Sequence, residues 1–317
     1  MRTPLPAAAA LTALLVSGAA SAAVIGPAAA YNVFIFGSGS FMSQDTDTMG
    51  DLAAGGNVTL MNYSVAQGIA GDPTQSPNPA RIVVGGKLTA TNGGVGSGGS
   101  NQDGAIYYGS STPSLTSFTA RGGEFANQSL VNFASSASLY GAYSSQLGAL
   151  TANGTTSFNS SGDTLTFTGS ASGLNVFTVS GATLTSSNTI DISAPTGSTV
   201  LINVTGGSAS FQNGSVMETG VTDASVLYNF ITATSVDLVG SKDPMGSILA
   251  PDAGVTGGFG AMDGQLIAGS YSGNTQFNEV AFAGNLPSTV PLPPSVTLLG
   301  SGLLGLLLWR ARGRTLS

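Results

Sequence analysis

From residue 31 to residue 284 the chain never runs more than a few residues without Gly, Ser, Thr or Asn. Turn signals at that density leave room only for short strands, and the segments between them are β-branched and apolar. Examples are Leu165-Thr166-Phe167-Thr168, Leu174-Asn175-Val176-Phe177-Thr178-Val179 and Val200-Leu201-Ile202-Asn203-Val204. In the last of these Val200, Ile202 and Val204 share one face, as the strand period of two requires. There is also a faint internal repeat. Leu52-Ala53-Ala54-Gly55-Gly56-Asn57-Val58-Thr59-Leu60 is echoed in register by Ile82-Val83-Val84-Gly85-Gly86-Lys87-Leu88-Thr89-Ala90, and more briefly by Leu266-Ile267-Ala268-Gly269. The Gly-Gly pair lacks the spacing and the following Lys-Ser/Thr of a phosphate-cradling loop, so it predicts a tight corner between stacked strands. Apolar-then-glycine units that each bury one face against a neighbour predict a mainly β fold, a right-handed β-helix or solenoid.

One segment departs from this pattern. Over residues 129–151, Leu130, Phe133, Ala137, Tyr140, Ser144, Leu147 and Leu150 or Thr151 recur at steps of three and four, and Asn153-Gly154 follows as a stop. The spacing predicts one long amphipathic α-helix, despite Gly141 and Gly148. Its length of about 33 Å matches about seven solenoid rungs, so it is expected to lie along the side of the β-helix and cover one apolar flank.

Composition now narrows the chemistry. The 317 residues include no histidine and no cysteine. That excludes Ser-His-Asp triads, imidazole bases, thiol nucleophiles, iron–sulfur clusters, disulfides and His- or Cys-ligated zinc. Only 7% of residues are charged, so solubility falls to Ser, Thr, Asn and Gly. Arg2, Arg310, Arg312 and Arg314 sit at the two ends, leaving Arg81, Lys87, Arg121 and Lys242 beside all 15 acidic residues. Four basic against 15 acidic residues give that body a net charge of −11, which argues against nucleic acid or anionic lipid as partners.

The two ends read as addresses. Residues 1–22 carry Arg2, an apolar run over residues 7–16 and a closing Ala20-Ser21-Ala22; this predicts a secretory signal peptide cut by signal peptidase between Ala22 and Ala23. At the other end Val290-Pro291-Leu292-Pro293-Pro294 halts any preceding structure. Residues 295–309 then form an almost unbroken apolar stretch before Arg310, Arg312 and Arg314. As a helix that stretch covers about 22 Å, marginal for a span, with the arginines holding its end on the cytoplasmic side. A short span with a basic stop suggests temporary anchoring; a plain membrane anchor is the alternative.

These last residues resemble the PEP-CTERM sorting signal in its VPLPA-type variant, with Leu292 where the main class has Glu and Pro294 where the variant has Ala. The resemblance implies that exosortase, a membrane protease-transpeptidase, removes the tail and passes the protein to the surface of a Gram-negative bacterium. The implied organisation is a signal peptide at 1–22, a body at 23–285 and a sorting segment at 286–317.

The body resembles the choice-of-anchor A family. At the front the resemblance rests on Tyr31-Asn32-Val33-Phe34-Ile35-Phe36-Gly37, Gly50-Asp51-Leu52-Ala53-Ala54-Gly55-Gly56-Asn57-Val58 and Asn62-Tyr63-Ser64-Val65. At the back it rests on Val226-Leu227-Tyr228-Asn229-Phe230, Gly246-Ser247-Ile248-Leu249-Ala250-Pro251-Asp252-Ala253 and Asp263-Gly264-Gln265-Leu266-Ile267-Ala268. It implies an exported surface protein acting as an adhesin, some members being described as collagen-binding, on a β-helical fold similar to ice-binding solenoids. It implies no catalytic residue and no cofactor. Gln276-Phe277-Asn278-Glu279 stands where family members carry a stretch with histidine.

The expected function is therefore a non-catalytic adhesin or matrix component at the cell surface, with a polysaccharide or protein as ligand. Three alternatives stay open. A carbohydrate-active enzyme would need two carboxylates about 5 to 9.5 Å apart in one pocket. A calcium module could use Asp45-Thr46-Asp47-Thr48-Met49-Gly50-Asp51, although position twelve is Gly56 in place of glutamate, which favours a polar turn. Ice binding would need a regular array of threonines, and only scattered pairs such as Thr166 and Thr168 are evident.

Overall fold

The computed structural model describes residues 26–69, 79–96, 104–109, 111–126, 130–240 and 242–287. The cleavage point Ala22/Ala23 and the sorting residues Val290, Pro291, Leu292, Pro293, Arg310, Arg312 and Arg314 lie outside them.

The fold is mainly β, a parallel solenoid of three faces with one long helix against its side. After a short 3-10 turn at Gly26–Ala30, the first half runs β1 (Val33–Ile35), β2 (Phe41–Thr48), β3 (Leu52–Ala54), β4 (Val58–Val65), β5 (Ala80–Val84), β6 (Leu88–Val95), β7 (Ala105–Tyr108), β8 (Ser114–Thr119) and β9 (Glu124–Ala126). Odd strands stack in parallel on the first face, with Val33 opposite Leu52, Leu52 opposite Ile82 and Ile82 opposite Ile106. Even strands stack beside them, with Val58 opposite Leu88. Each even strand bends at one left-handed residue, Asp45, Asn62, Asn92 or Ser117, with φ of 55°, 49°, 54° and 51°. Asn and Asp are the side chains that tolerate this conformation best, and the bend lets one strand serve two faces.

The Gly-Gly repeat is the corner it was predicted to be. Gly55, Gly85 and Gly109 stack one above another, each amide donating to the carbonyl of the rung before: Gly55 to Ile35 (2.9 Å), Gly85 to Ala54 (2.8 Å) and Gly109 to Val84 (2.7 Å). A Cβ on any of them would strike a glycine carbonyl oxygen in the adjacent rung, that of Gly37, Gly55 or Gly85 respectively.

Helix α1 (Phe133–Gly148) then carries the chain back along the stack. The second half follows as β10 (Thr155–Asn159), β11 (Thr164–Thr168), β12 (Leu174–Ser180), a short α2 (Gly181–Ser186), β13 (Thr189–Ser193), β14 (Thr199–Thr205), β15 (Ser208–Ser210), β16 (Ser215–Thr219), β17 (Val226–Phe230), β18 (Ser235–Leu238), β19 (Ser247–Gly257), β20 (Ala261–Asp263), β21 (Leu266–Gly273) and β22 (Gln276–Asn278). Its rungs climb until β21 pairs with β1, Val33 lying opposite Leu266. The first face is therefore one parallel ladder in the order β12, β14, β17, β19, β21, β1, β3, β5, β7, β9, with the first strand of the chain in its interior. The only antiparallel pair among the described residues is β10 on β11.

Inward side chains from the three faces fill one long core, including the stacked rings of Phe41 and Tyr271, 5.0 Å apart. A second core lies outside the ladder, under the helix. There Phe133, Tyr140 and Leu147 of α1 meet Phe34, Ala53, Leu201, Leu249 and Ile267 of the ladder. The helix is shorter than the predicted 129–151. Asn132 caps its start, its side chain accepting from the Ser135 amide at 3.1 Å, and Leu130 is left 52% exposed. At the other end the backbone amides of Ala149 and Leu150 meet the last carbonyls, and the sheet adds to them, since Asn203 Nδ2 donates to Leu147 O at 2.8 Å. Asn229 completes this latch: its Nδ2 donates to Ser144 O (3.0 Å) and Asn203 Oδ1 (2.8 Å), and its Oδ1 accepts from Ser144 Oγ (2.6 Å). Sixteen helical residues span about 24 Å, the rise of about five rungs.

Candidate binding surface

The face built by the first part of β2, β4, β6 and β8 presents two outward columns of uncharged side chains. Phe41, Val58 and Leu88 point inward, so by strand alternation their neighbours Met42, Thr59 and Thr89 point out, with Ser114 as the next member of that column. Two residues further along lie Gln44, Met61, Thr91 and Thr116. Met42 is 52% exposed and Met61 42%. Neighbours within a rung are about 6.7 Å apart and rungs about 4.8 Å apart, so the two columns form a flat grid. Threonine suits such a grid because its branched Cβ restricts χ1.

The left-handed bends border this grid with a ladder of their own. Asn62 Nδ2 donates to Asp45 Oδ1 at 2.7 Å, and Asn92 Nδ2 donates to Asn62 Oδ1 at 3.2 Å. Towards the second half the outer column continues through Ser272 and Thr256 to Asp237, which accepts from the Thr256 hydroxyl. Where β2 meets β21 the surface dips into a groove of about 230 Å³ between Met42, Gln44, Ser272 and Asn274. The grid itself carries no charge; Asp45 borders it at the bends and the exposed Lys87 at the corner before Thr89.

The proposed calcium ligands do not converge. Asp45 stands at the bend against Asn62, Asp47 lies beyond it on the third face beside Ser64, and Asp51 is on the first face, where Arg81 Nη1 reaches both its oxygens at 3.2 Å. Parallel pairing of β2 with β4 is what spreads them: it draws residues 45–48 into a strand, so no loop forms there. Among the described residues no group of three or more acidic side chains is placed to hold a metal ion. Thr166 and Thr168 lie in β11, covered along one edge by β10, and form no part of the grid. The threonines that do form it were half visible in sequence, because the Gly-Gly repeat already sets Thr59 and Thr89 in register. Ser114 and Thr116 carried no such signal, their rung lacking the repeat.

Two carboxylates are held well above their usual range. Asp51 is pushed up to about 7 by burial, against the lowering effect of Arg81 and with a further push from Glu279. Glu218 is also raised to about 7, by burial first and then by the carboxylates of Asp223 and Asp263. Both therefore keep protons in the folded state that the unfolded chain, titrating near pH 4, has released. Stability conferred by the neutral forms is complete below about pH 4 and is lost as pH rises to about 7. The melting temperature is accordingly expected to be several degrees higher at pH 5 than at pH 8, and Glu218→Gln to flatten that slope; differential scanning calorimetry across the range measures both.

No curated protein matches the chain. Among solved structures it is similar to an ice-binding protein from the Antarctic ascomycete Antarctomyces psychrotrophicus, at 13% identity over 83% of this chain and 100% of that one, with a TM-score of 0.40. It is also similar to an ice-binding protein from an Antarctic biological consortium, at 12% identity over 87% and 94% of the two chains, with a TM-score of 0.34. Residues 24–279 match the family described as "Putative Ice-binding-like adhesive domain", and the chain belongs to that family.

Proposed function

We propose that this protein is an exported, non-catalytic adhesive domain that grips an extended, ordered polymer surface through the grid of β2, β4, β6 and β8. The carrying observation is the pair of aligned columns, Met42-Thr59-Thr89-Ser114 and Gln44-Met61-Thr91-Thr116, neutral and flat over four rungs. A repeating surface can be matched by a repeating one without a deep pocket, and many weak contacts in register add to useful avidity. The groove at the β2–β21 seam, with Met42 as its apolar wall, favours a polymer chain as the thing gripped. A second reading, ice itself, is favoured by the alternating methyl and hydroxyl groups of Thr59, Thr89 and Thr91 at regular spacing.

Sedimentation with insoluble polysaccharides and ice-affinity partition, run side by side, test both readings. Thr89→Tyr with Thr91→Tyr is expected to reduce the bound fraction about tenfold on the relevant solid while leaving the folding stability within about 0.5 kcal/mol of wild type. Undiminished binding by that variant would remove the grid from the function. The sorting reading belongs to this proposal too: signal peptidase acts at Ala22/Ala23, and exosortase reads Val290, Pro291, Leu292 and Pro293 with the arginine stop, delivering the body to the cell surface. Fractionation of a host with and without its exosortase checks this, the expected result being surface material in the first and inner-membrane retention in the second.

A further inference from the structure

Where the two halves meet, beside β1, the surface holds a recess of about 190 Å³, walled by Tyr31, Asn32, Asp51, Arg81, Gln265 and Glu279. Six separate stretches of chain build it, and two of its amides lock several of them together. Asn32 Nδ2 donates to Gly264 O (2.9 Å) and Asn278 O (3.0 Å), while its Oδ1 accepts from the Gly50 amide (3.1 Å). Gln265 Nε2 donates to Tyr31 O (2.7 Å) and its Oε1 accepts from the Phe282 amide (3.1 Å). Asn32 and Gln265 are thereby committed to the frame, so the recess is formed in advance of any ligand.

The charged groups are less fully matched. Arg81 and Asp51 are only 14% and 16% exposed at the side chain, yet they meet through the single nitrogen Nη1 at 3.2 Å to either oxygen, not through the parallel fork that makes such pairs strong. A guanidinium carries five N–H donors and a carboxylate about four acceptor positions. A buried pair with spare capacity on both partners is costly unless other groups complete it. Glu279, exposed at the rim, adds further acceptors.

We infer that this recess binds one neutral sugar ring through vicinal hydroxyls. Size limits the ligand, because drug-sized pockets run from about 300 Å³ upward, leaving room here for about one ring. Charge limits it further. One guanidinium beside the Glu279 carboxylate and the buried, partly protonated Asp51 carboxyl favours neither an anion nor a cation, whereas adjacent hydroxyls donate to a carboxyl oxygen and accept from a guanidinium at once. Tyr31, Ile69 and Val280 give the recess an apolar side for the C–H face of the ring. Burial raises the Tyr31 phenol to about 12, so it remains a proton donor at neutral pH. The site is separate from the flat grid and does not depend on it.

Ligand-observed NMR titration of the full chain tests this with glucose, galactose, mannose and N-acetylglucosamine, against glucuronate and glucosamine as charged controls. At least one neutral sugar is expected to saturate in the millimolar range, with Glu279→Gln and Arg81→Gln each weakening it about tenfold and Thr89→Tyr leaving it unchanged. Glu279 lies at the exposed rim, so its variant keeps the test informative even if Arg81→Gln misfolds. No saturation by any neutral sugar up to about 50 mM, equal binding of a charged control, or undiminished binding by Glu279→Gln would overturn the assignment. Hydrolysis of an aryl glycoside that Glu279→Gln abolishes would overturn it as well, in favour of catalysis.

Discussion

Phe34→Ala is expected to destabilise the protein by about 3 to 5 kcal/mol, the usual cost of removing a buried aromatic ring. At about 2 to 4 °C per kcal/mol for a domain of this size, the melting temperature should fall by roughly 6 to 20 °C. Phe34 is fully buried between ladder and helix, its ring centroid 5.7 Å from Tyr140, 5.9 Å from Phe133 and 5.7 Å from Tyr31. The same region carries the Tyr140 hydroxyl, which accepts from the Ala28 amide at 2.7 Å, so the N-terminal turn should loosen together with the helix. Phe259→Ala is the matched control: that ring is 84% exposed, and its loss should cost no more than about 0.5 kcal/mol. Thermal melts of the two variants, with amide exchange of α1, separate a cavity at the interface from a general loss of aromatic mass.

Gly55→Val should be nearly as damaging, by about 3 kcal/mol or more, through overpacking. Its Cβ would collide with the Gly37 carbonyl oxygen and come within 2.8 Å of Phe133 Cβ. Neither can move cheaply: one is backbone of the adjacent rung and the other belongs to the first turn of α1. Gly141 makes the opposite case. Nothing lies within 4 Å of a Cβ placed there, and it sits inside α1, so Gly141→Ala should stabilise by about 0.5 to 1 kcal/mol. Opposite signs from two glycines, read in one urea titration, would establish that close approach of rungs is what demands glycine at the corner.

These contrasts show how far single residues could be read in advance. Strand periodicity placed Val200, Ile202 and Val204 on the inner face, where all three are buried, because alternation is a property of the strand alone. The Gly-Gly repeat marked a corner, and its register extended to Thr59 and Thr89. The helix was visible in the spacing of Phe133, Tyr140, Ser144 and Leu147, all buried; its ends were misjudged because caps depend on partners. Asn132 supplies the first cap locally, and the last turn, besides its own capping amides, is tied to the sheet by Asn203 from a strand more than fifty residues away. The recess by β1 was hidden for the same reason: Asp51, Arg81 and Glu279 are far apart in sequence and meet only across stacked rungs.

The sequence by itself determined a β-solenoid with glycine corners and one flanking helix, since turn chemistry, strand alternation and helical spacing are all local and act within about ten residues. Only the tertiary structure decided the order of the rungs. Backbone N–H and C=O groups pair in the same way whatever side chains they carry, so the ladder bonds alone do not dictate that β1 should lie between β21 and β3. That order goes with the helix, which carries the chain back along the stack and buries Phe133, Tyr140 and Leu147 against ladder residues of both halves. The seam groove and the polar recess follow from that reversal, which sets β21 beside β1 and β2, whereas the grid needs only the consecutive rungs of the first half.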